Sequence, residues 1–117
     1  MQDKDIIWKI GEAAAKEYLK NKGYKIIEQN YRTKYAEIDL IVSRNNVLIF
    51  VEVRTKKSER FGSPEASINQ KKLKKLYQNA SAYISFKKWP GLSRIDAICI
   101  VLDSDNNIEK LEHYKNI

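Results

Sequence analysis

Residues 37–55, EIDLIVSRNNVLIFVEVRT, read as two strands joined by a tight turn. Ala36–Ser43 and Val47–Thr55 are rich in branched and aromatic side chains, and asparagine tolerates the positive φ that such a turn requires. Two-residue loops are the commonest hairpin connections. With Asn45-Asn46 as the loop, Arg44 opposes Val47, Asp39 opposes Glu52 and Glu37 opposes Arg54. Side chains alternate between the two faces of a strand, and opposed residues share a face. One face then carries Ile38, Leu40 and Val42 with Val47, Ile49, Val51 and Val53, all apolar and expected to be buried. The other carries Ile41 and Phe50 near the turn, then Asp39, Glu52, Glu37 and Arg54 at the far end.

Two directly opposed carboxylates repel. At about 5 Å and an effective dielectric near 20, Coulomb's law gives roughly 3 kcal/mol. Arg54 could offset this by pairing with Glu37, one acid could keep its proton, or a divalent cation could bind both. Paired carboxylate oxygens suit a hard ion such as Mg²⁺, which takes one or two carboxylates and completes its shell with water and phosphate. Because these strands read as central in the sheet rather than at an edge, the metal reading is preferred. The register matters: a slip of one residue would place Asp39 and Glu52 on opposite faces.

Outward from the hairpin, residues 5–22 predict a helix with Ile7, Ile10, Gly11, Ala14 and Tyr18 in one stripe, stopped by Gly23. Tyr24–Tyr31 reads as a strand. Residues 56–63 form a charged loop containing Phe61-Gly62, after which Ser63 and Pro64 read as the N-cap and first turn of a helix. That helix carries a stripe of Leu73, Leu76, Tyr77, Ala80, Tyr83 and Ile84 and ends near Lys87, before Trp89-Pro90-Gly91. Arg94–Leu102 and Ile108–Tyr114 complete an αβββαββ order. This order predicts an α/β fold, a mixed sheet flanked by helices, forming a single domain over residues 1–117.

Composition narrows the function classes. With 43% hydrophobic and 32% charged residues, the 117-residue chain fits a folded globular domain. Its longest apolar runs are far short of the roughly 20 residues needed to span a bilayer. The opening MQDKDIIWKIGE reads as no secretion signal, so a cytoplasmic protein without membrane partners is expected. One cysteine and one histidine exclude a disulfide framework and a Cys- or His-built metal cluster. Lys and Arg total 22 against 15 acids, a net charge of +7. Residues 54–75 hold eight bases and two acids, nearly the whole excess. A local basic patch suits a polyanion, since neutralising phosphates releases condensed counterions; the plainer alternative is a solvated lysine face.

Ile38-Asp39-Leu40-Ile41-Val42 followed by Phe50-Val51-Glu52-Val53-Arg54 resembles the D…(D/E)-x-K pattern of the PD-(D/E)XK restriction-endonuclease-like nucleases. More closely, the chain resembles the YraN-type family, related to Holliday-junction resolvases, through Gly11-Glu12-Ala13-Ala14, Glu37–Ile41, Phe50–Arg54, Lys72 and Arg94-Ile95-Asp96. The resemblance implies the restriction-endonuclease-like fold and a metal-dependent phosphodiesterase. On it, Asp39, Glu52 and the carbonyl of Val53 would ligate Mg²⁺ or Mn²⁺, Glu12 would complete the site, and Lys72 matches a basic helix position. Two positions depart from the pattern. Ile38 replaces the usual proline, and Arg54 stands where the superfamily has lysine. Arginine cannot be deprotonated, so Arg54 is excluded as a general base but can clamp a phosphate with two hydrogen bonds.

The expectation is an endonuclease acting on DNA, with branched or junction DNA as candidate substrates. In it Glu12, Asp39, Glu52 and Arg54 are catalytic, and Lys56, Lys57, Lys71, Lys72 and Lys75 hold the nucleic-acid backbone. A symmetric junction would suit a homodimer. The rival is a non-catalytic nucleic-acid-binding module that retains the fold, which Arg54 favours; a third reading is an assembly factor whose basic surface meets an acidic protein. Other residues read more plainly. Glu12 alone would be a surface partner of Lys16, Cys99 a core residue, and His113 a surface residue without partners. Trp89 reads as a loop anchor ahead of a base-stacking role, and Asp96 as an ion-pair partner of Arg94 ahead of a metal ligand.

Overall fold

The computed structural model describes residues 4–60 and 62–117; Phe61 and the first three residues of the N-terminal segment lie outside the described residues. The elements are α1 (Lys4–Asn21), β1 (Lys25–Arg32), β2 (Glu37–Arg44), β3 (Val47–Lys56), a 3₁₀ turn (Glu65–Ser67), α2 (Gln70–Lys87), β4 (Leu92–Leu102) and β5 (Ile108–Tyr114). The five strands form one sheet in the order β1-β2-β3-β4-β5, antiparallel except for the parallel β3–β4 pair. The αβββαββ order and mixed sheet agree with the sequence reading. Parallel strands need a crossover, and here α2 supplies it.

Each helix covers one face. Ala15 and Leu19 of α1 pack on Leu40, Val42, Ile49, Val51, Ile98 and Ile100. Leu76, Ala80 and Tyr83 of α2 pack on Ile38, Ile41, Leu48, Phe50 and Ile95. Tyr77, expected in the α2 stripe, is exposed, and its hydroxyl donates to the Ile117 carbonyl at 2.8 Å. The start of α2 also differs. Ser63 and Pro64 precede only the short 3₁₀ turn, and Asn69 caps α2 by accepting from the Lys72 N–H at 2.9 Å. An asparagine oxygen satisfies one of the orphan amides of the first turn as well as serine does.

The hairpin turns at Asn45-Asn46, with φ 51° and 63°, and Arg44 opposes Val47 as expected. The ladder, however, runs only from that pair to Leu40↔Val51. The expected pairings Asp39↔Glu52 and Glu37↔Arg54 are therefore not continuations of it. Asn30, at φ 51°, sits between the pairs Gln29↔Leu40 and Tyr31↔Ile38, level with Asp39. Within β2 itself strict alternation breaks between Ile38 and Leu40: Ile38 joins Ile41 in the α2-side core rather than Leu40 on the α1 side, correcting the face assigned from the sequence.

His113 is likewise not a partnerless surface residue. Its Nε2 lies 2.8 Å from Asp96 Oδ2 and its Nδ1 3.1 Å from the Tyr18 hydroxyl, joining β5 to β4 and α1. The expected Arg94–Asp96 ion pair is present at 2.9 Å. Burial would raise the Asp96 carboxyl, but hydrogen bonds from His113, Arg94 and the Asn116 N–H outweigh it and hold the group below its ordinary value. Trp89 packs on the α2-side core, and its indole donates to the Leu92 carbonyl at 2.9 Å, so it anchors the loop. Cys99 is buried, and desolvation pushes its thiol up to about 12, leaving an inert core residue.

Gly11 sets how closely α1 crosses the sheet. A Cβ built on it would lie 1.8 Å from Thr55 Oγ1 and 2.8 Å from Thr55 Cβ. Threonine is stiff at χ1 and cannot simply swing away. Gly11→Ala should therefore destabilise by about 1–2 kcal/mol in urea unfolding, overpacking outweighing the gain in helix propensity of up to about 1 kcal/mol. Adding Thr55→Ala should recover part of the loss.

Candidate metal and phosphate site

Beyond the end of the β2–β3 ladder the strands stay joined through a side chain: the Val53 N–H donates to Asp39 Oδ2 at 2.7 Å. This bond holds Asp39 close to Glu52, whose charge acts on it directly. Glu52, only 3% exposed, is met by two cations: Arg54 Nη2 lies 2.9 Å and Lys72 Nζ 3.3 Å from its Oε2. Arg54 comes from the same strand and Lys72 from the first turn of α2. Glu37 does not pair with Arg54, as the register had suggested, but with Arg32 at 2.9 Å.

From the other side α1 brings in Glu12, 6% exposed, which overturns its reading as a surface partner of Lys16. The close crossing at Gly11 and Thr55 puts the next residue of the helix over the acidic end of the sheet. Asn30, which the sequence reading missed, connects the acids. With its amide nitrogen turned toward them it donates to Glu37 Oε1 at 3.0 Å and to both Glu12 oxygens at 3.2 Å. An asparagine inside a segment of strand composition is the signal that could have found it, since asparagine is depleted from strands and favoured at positive φ.

The structure thus brings together Glu12, Asp39, Glu52, Arg54 and Lys72, with Val53 supplying backbone. Lys56 ends β3 and Lys57 follows it, and Lys56 Nζ donates to the Gly62 carbonyl at 3.3 Å. Lys71 and Lys75 are exposed on α2. Asp96 belongs to the His113 network and is no part of this site.

Negative charge here is under-compensated. Burial, then the charges of Glu37 and Glu52, raise the Glu12 carboxyl to about 7 against the pull of Lys16. Burial, then Glu52, push Asp39 well above the carboxylate range even though the Val53 N–H favours its anion. Among the described residues no three His, Cys, Asp or Glu side chains are already gathered as a metal cage. The pair Asp39 and Glu52 nevertheless fits a hard divalent cation that takes its remaining ligands from water and phosphate, with Glu12 alongside. Arg54 Nε is buried without a hydrogen-bond partner, so the guanidinium is not fully satisfied by Glu52.

A mixed five-stranded sheet of this order, with acids at the end of its central hairpin, is compatible with the restriction-endonuclease-like fold. The model of the "Uncharacterised protein family UPF0102" matches residues 11–100. The chain belongs to that family, which is the YraN family. It is 43% identical to a UPF0102 protein of Thermodesulfovibrio yellowstonii over 92% of this chain and 91% of the relative. A UPF0102 protein of Cytophaga hutchinsonii is 46% identical over 77% and 80%, and one of Persephonella marina 43% identical over 92% and 89%. Among the described residues no helix is long and apolar enough to cross a membrane.

The raised carboxyls make a pH prediction. In metal-free buffer the folded protein keeps the Glu12 proton, between its ordinary 4.5 and about 7, where the unfolded chain has lost it. Stability should therefore fall as pH rises across that interval. Urea unfolding in EDTA at pH 4.5 and 7.5 should show Glu12→Gln flattening the fall by up to about 3 kcal/mol.

Proposed function

We propose that the chain is a metal-dependent endonuclease that hydrolyses phosphodiester bonds in DNA, branched or junction DNA included. The observation that carries this reading is Asp39 held beside buried Glu52, with Arg54 and Lys72 both reaching the same carboxylate oxygen. Asp39 and Glu52, with the Val53 carbonyl and Glu12 alongside, would hold Mg²⁺ or Mn²⁺. Such an ion supplies a water acidified for attack on phosphorus and neutralises charge on the phosphate oxygens. Arg54, whose Nη2 holds Glu52 while part of its side chain stays exposed, offers its remaining guanidinium donors to the phosphate, where planar donors stabilise charge that grows in the transition state. Lys72 brings a second cation to Glu52 from α2, a lysine beside the site whose motif position is held by Arg54. Lys56 and Lys57, with Lys71 and Lys75 further out, hold the backbone on either side.

The same ion pairs support a second reading. Glu52 already paired with two cations suits a non-catalytic nucleic-acid-binding module in which no metal is needed.

Titration calorimetry with Mn²⁺ and a cleavage assay on linear and junction DNA separate the two. The enzyme requires metal binding and cleavage that Asp39→Asn or Glu52→Gln abolishes, and Arg54→Ala or Lys72→Ala should slow cleavage by about 100-fold or more. DNA binding that is unchanged by Mn²⁺ and by Asp39→Asn, without cleavage, would establish the binding module instead.

A further inference from the structure

Trp8 stands on α1 one turn before Glu12, at the N-terminal end of the face that carries Glu12, Ala15 and Leu19. It remains 39% exposed. Trp8 forms the ridge between two cavities that both border the acidic site. One, of about 710 Å³, runs past Lys4, Ile7 and Trp8 to Val53, Arg54, Lys56 and Lys57 and contains four cations and no acid. The other, of about 550 Å³, leads past Arg32 and Asn30 to Glu37. The part of the indole that stays open to water lines both cavities.

We propose that Trp8 and the cationic groove form a subsite for one unpaired nucleobase, the indole stacking on the base while Arg54, Lys56 and Lys57 follow its backbone. The inference rests on reading the adjoining acids and Arg54 as a phosphodiester site, and it adds the class of substrate. The groove shares Val53 and Arg54 with that site, so the base would belong to a nucleotide next to the phosphate held there. Its volume is that of a small-ligand pocket and accommodates a nucleotide. An indole face accepts any base, whereas in a continuous duplex both faces of each base are covered by its neighbours. The substrate is therefore DNA with an unpaired nucleotide at the point of attack, as at a flap, fork, gap or single strand. The cations favour such a strand over an apolar protein segment, which an Ile7–Trp8 patch alone would also suit.

The chain has two tryptophans, Trp8 and Trp89, so each can be made the sole reporter. In EDTA, the Trp89→Phe protein is titrated with fluorescein-free oligo(dT), and its emission should quench saturably. The Trp8→Phe protein, which keeps only Trp89, should not respond. In anisotropy with labelled strands, Trp8→Ala should weaken single-strand and flap binding roughly 5- to 100-fold while changing duplex binding less than about twofold. Saturable binding without quenching of Trp8, or an equal loss on duplex, would overturn the subsite and leave the phosphodiester reading standing. Absence of binding to any of these nucleic acids at low salt would overturn both. Because the quenching experiment retains native Trp8, its outcome does not depend on the folding of Trp8→Ala.

Discussion

The site depends on a hydrogen bond made where the β2–β3 ladder has ended. Past Leu40↔Val51 the two strands no longer pair residue by residue, and the Val53 N–H is taken up by the carboxylate of Asp39. That bond satisfies a backbone donor in the middle of the sheet and holds one acid against another. A buried amide left unpaired would cost roughly 1–3 kcal/mol, so the fold and the charge cluster share one interaction. The cost is electrostatic: Asp39 stays near Glu52 because the backbone holds it there, not because the two carboxylates attract.

Around this point the chain places charge in layers. Glu52, the more deeply buried acid, is matched by Arg54 and Lys72. Glu12 and Glu37 share the amide of Asn30, a neutral donor that organises them without cancelling their charge. What remains is a cluster that is negative at its centre and positive at its rim, with Lys56 and Lys57 beyond. An arrangement optimised for stability would have ended with ion pairs throughout. Local electrostatic frustration of this kind is a common mark of a functional site.

Much of this was readable in the chain. Asn45-Asn46 between two apolar runs specified the hairpin and its register near the turn, because only the loop length and period-two alternation are needed for that. The acids of both strands were found by the same counting. The counting failed at Asp39, where β2 departs from strict alternation and the ladder to β3 has ended. Alternation assumes a regular strand, and residue type along β2 does not announce where that regularity stops. Glu12 was legible only through the family resemblance and His113 only as an isolated letter: the first is buried by the close approach of α1 at Gly11, and the second is caught between Tyr18 and Asp96, residues distant in sequence.

By itself, then, the sequence determined the elements and their order, the hairpin, the basic bias of residues 54–75 and the acids that count, since each follows from periodicity, turn chemistry or residue type along the chain. Only the tertiary structure decided that Lys72 reaches Glu52, that Asn30 bridges Glu12 and Glu37, and that Trp8 stands exposed beside Arg54. Those relations join α1, α2 and three strands. They are set by how closely helices and sheet can approach, a distance that the packing of whole side chains controls and that no local pattern encodes.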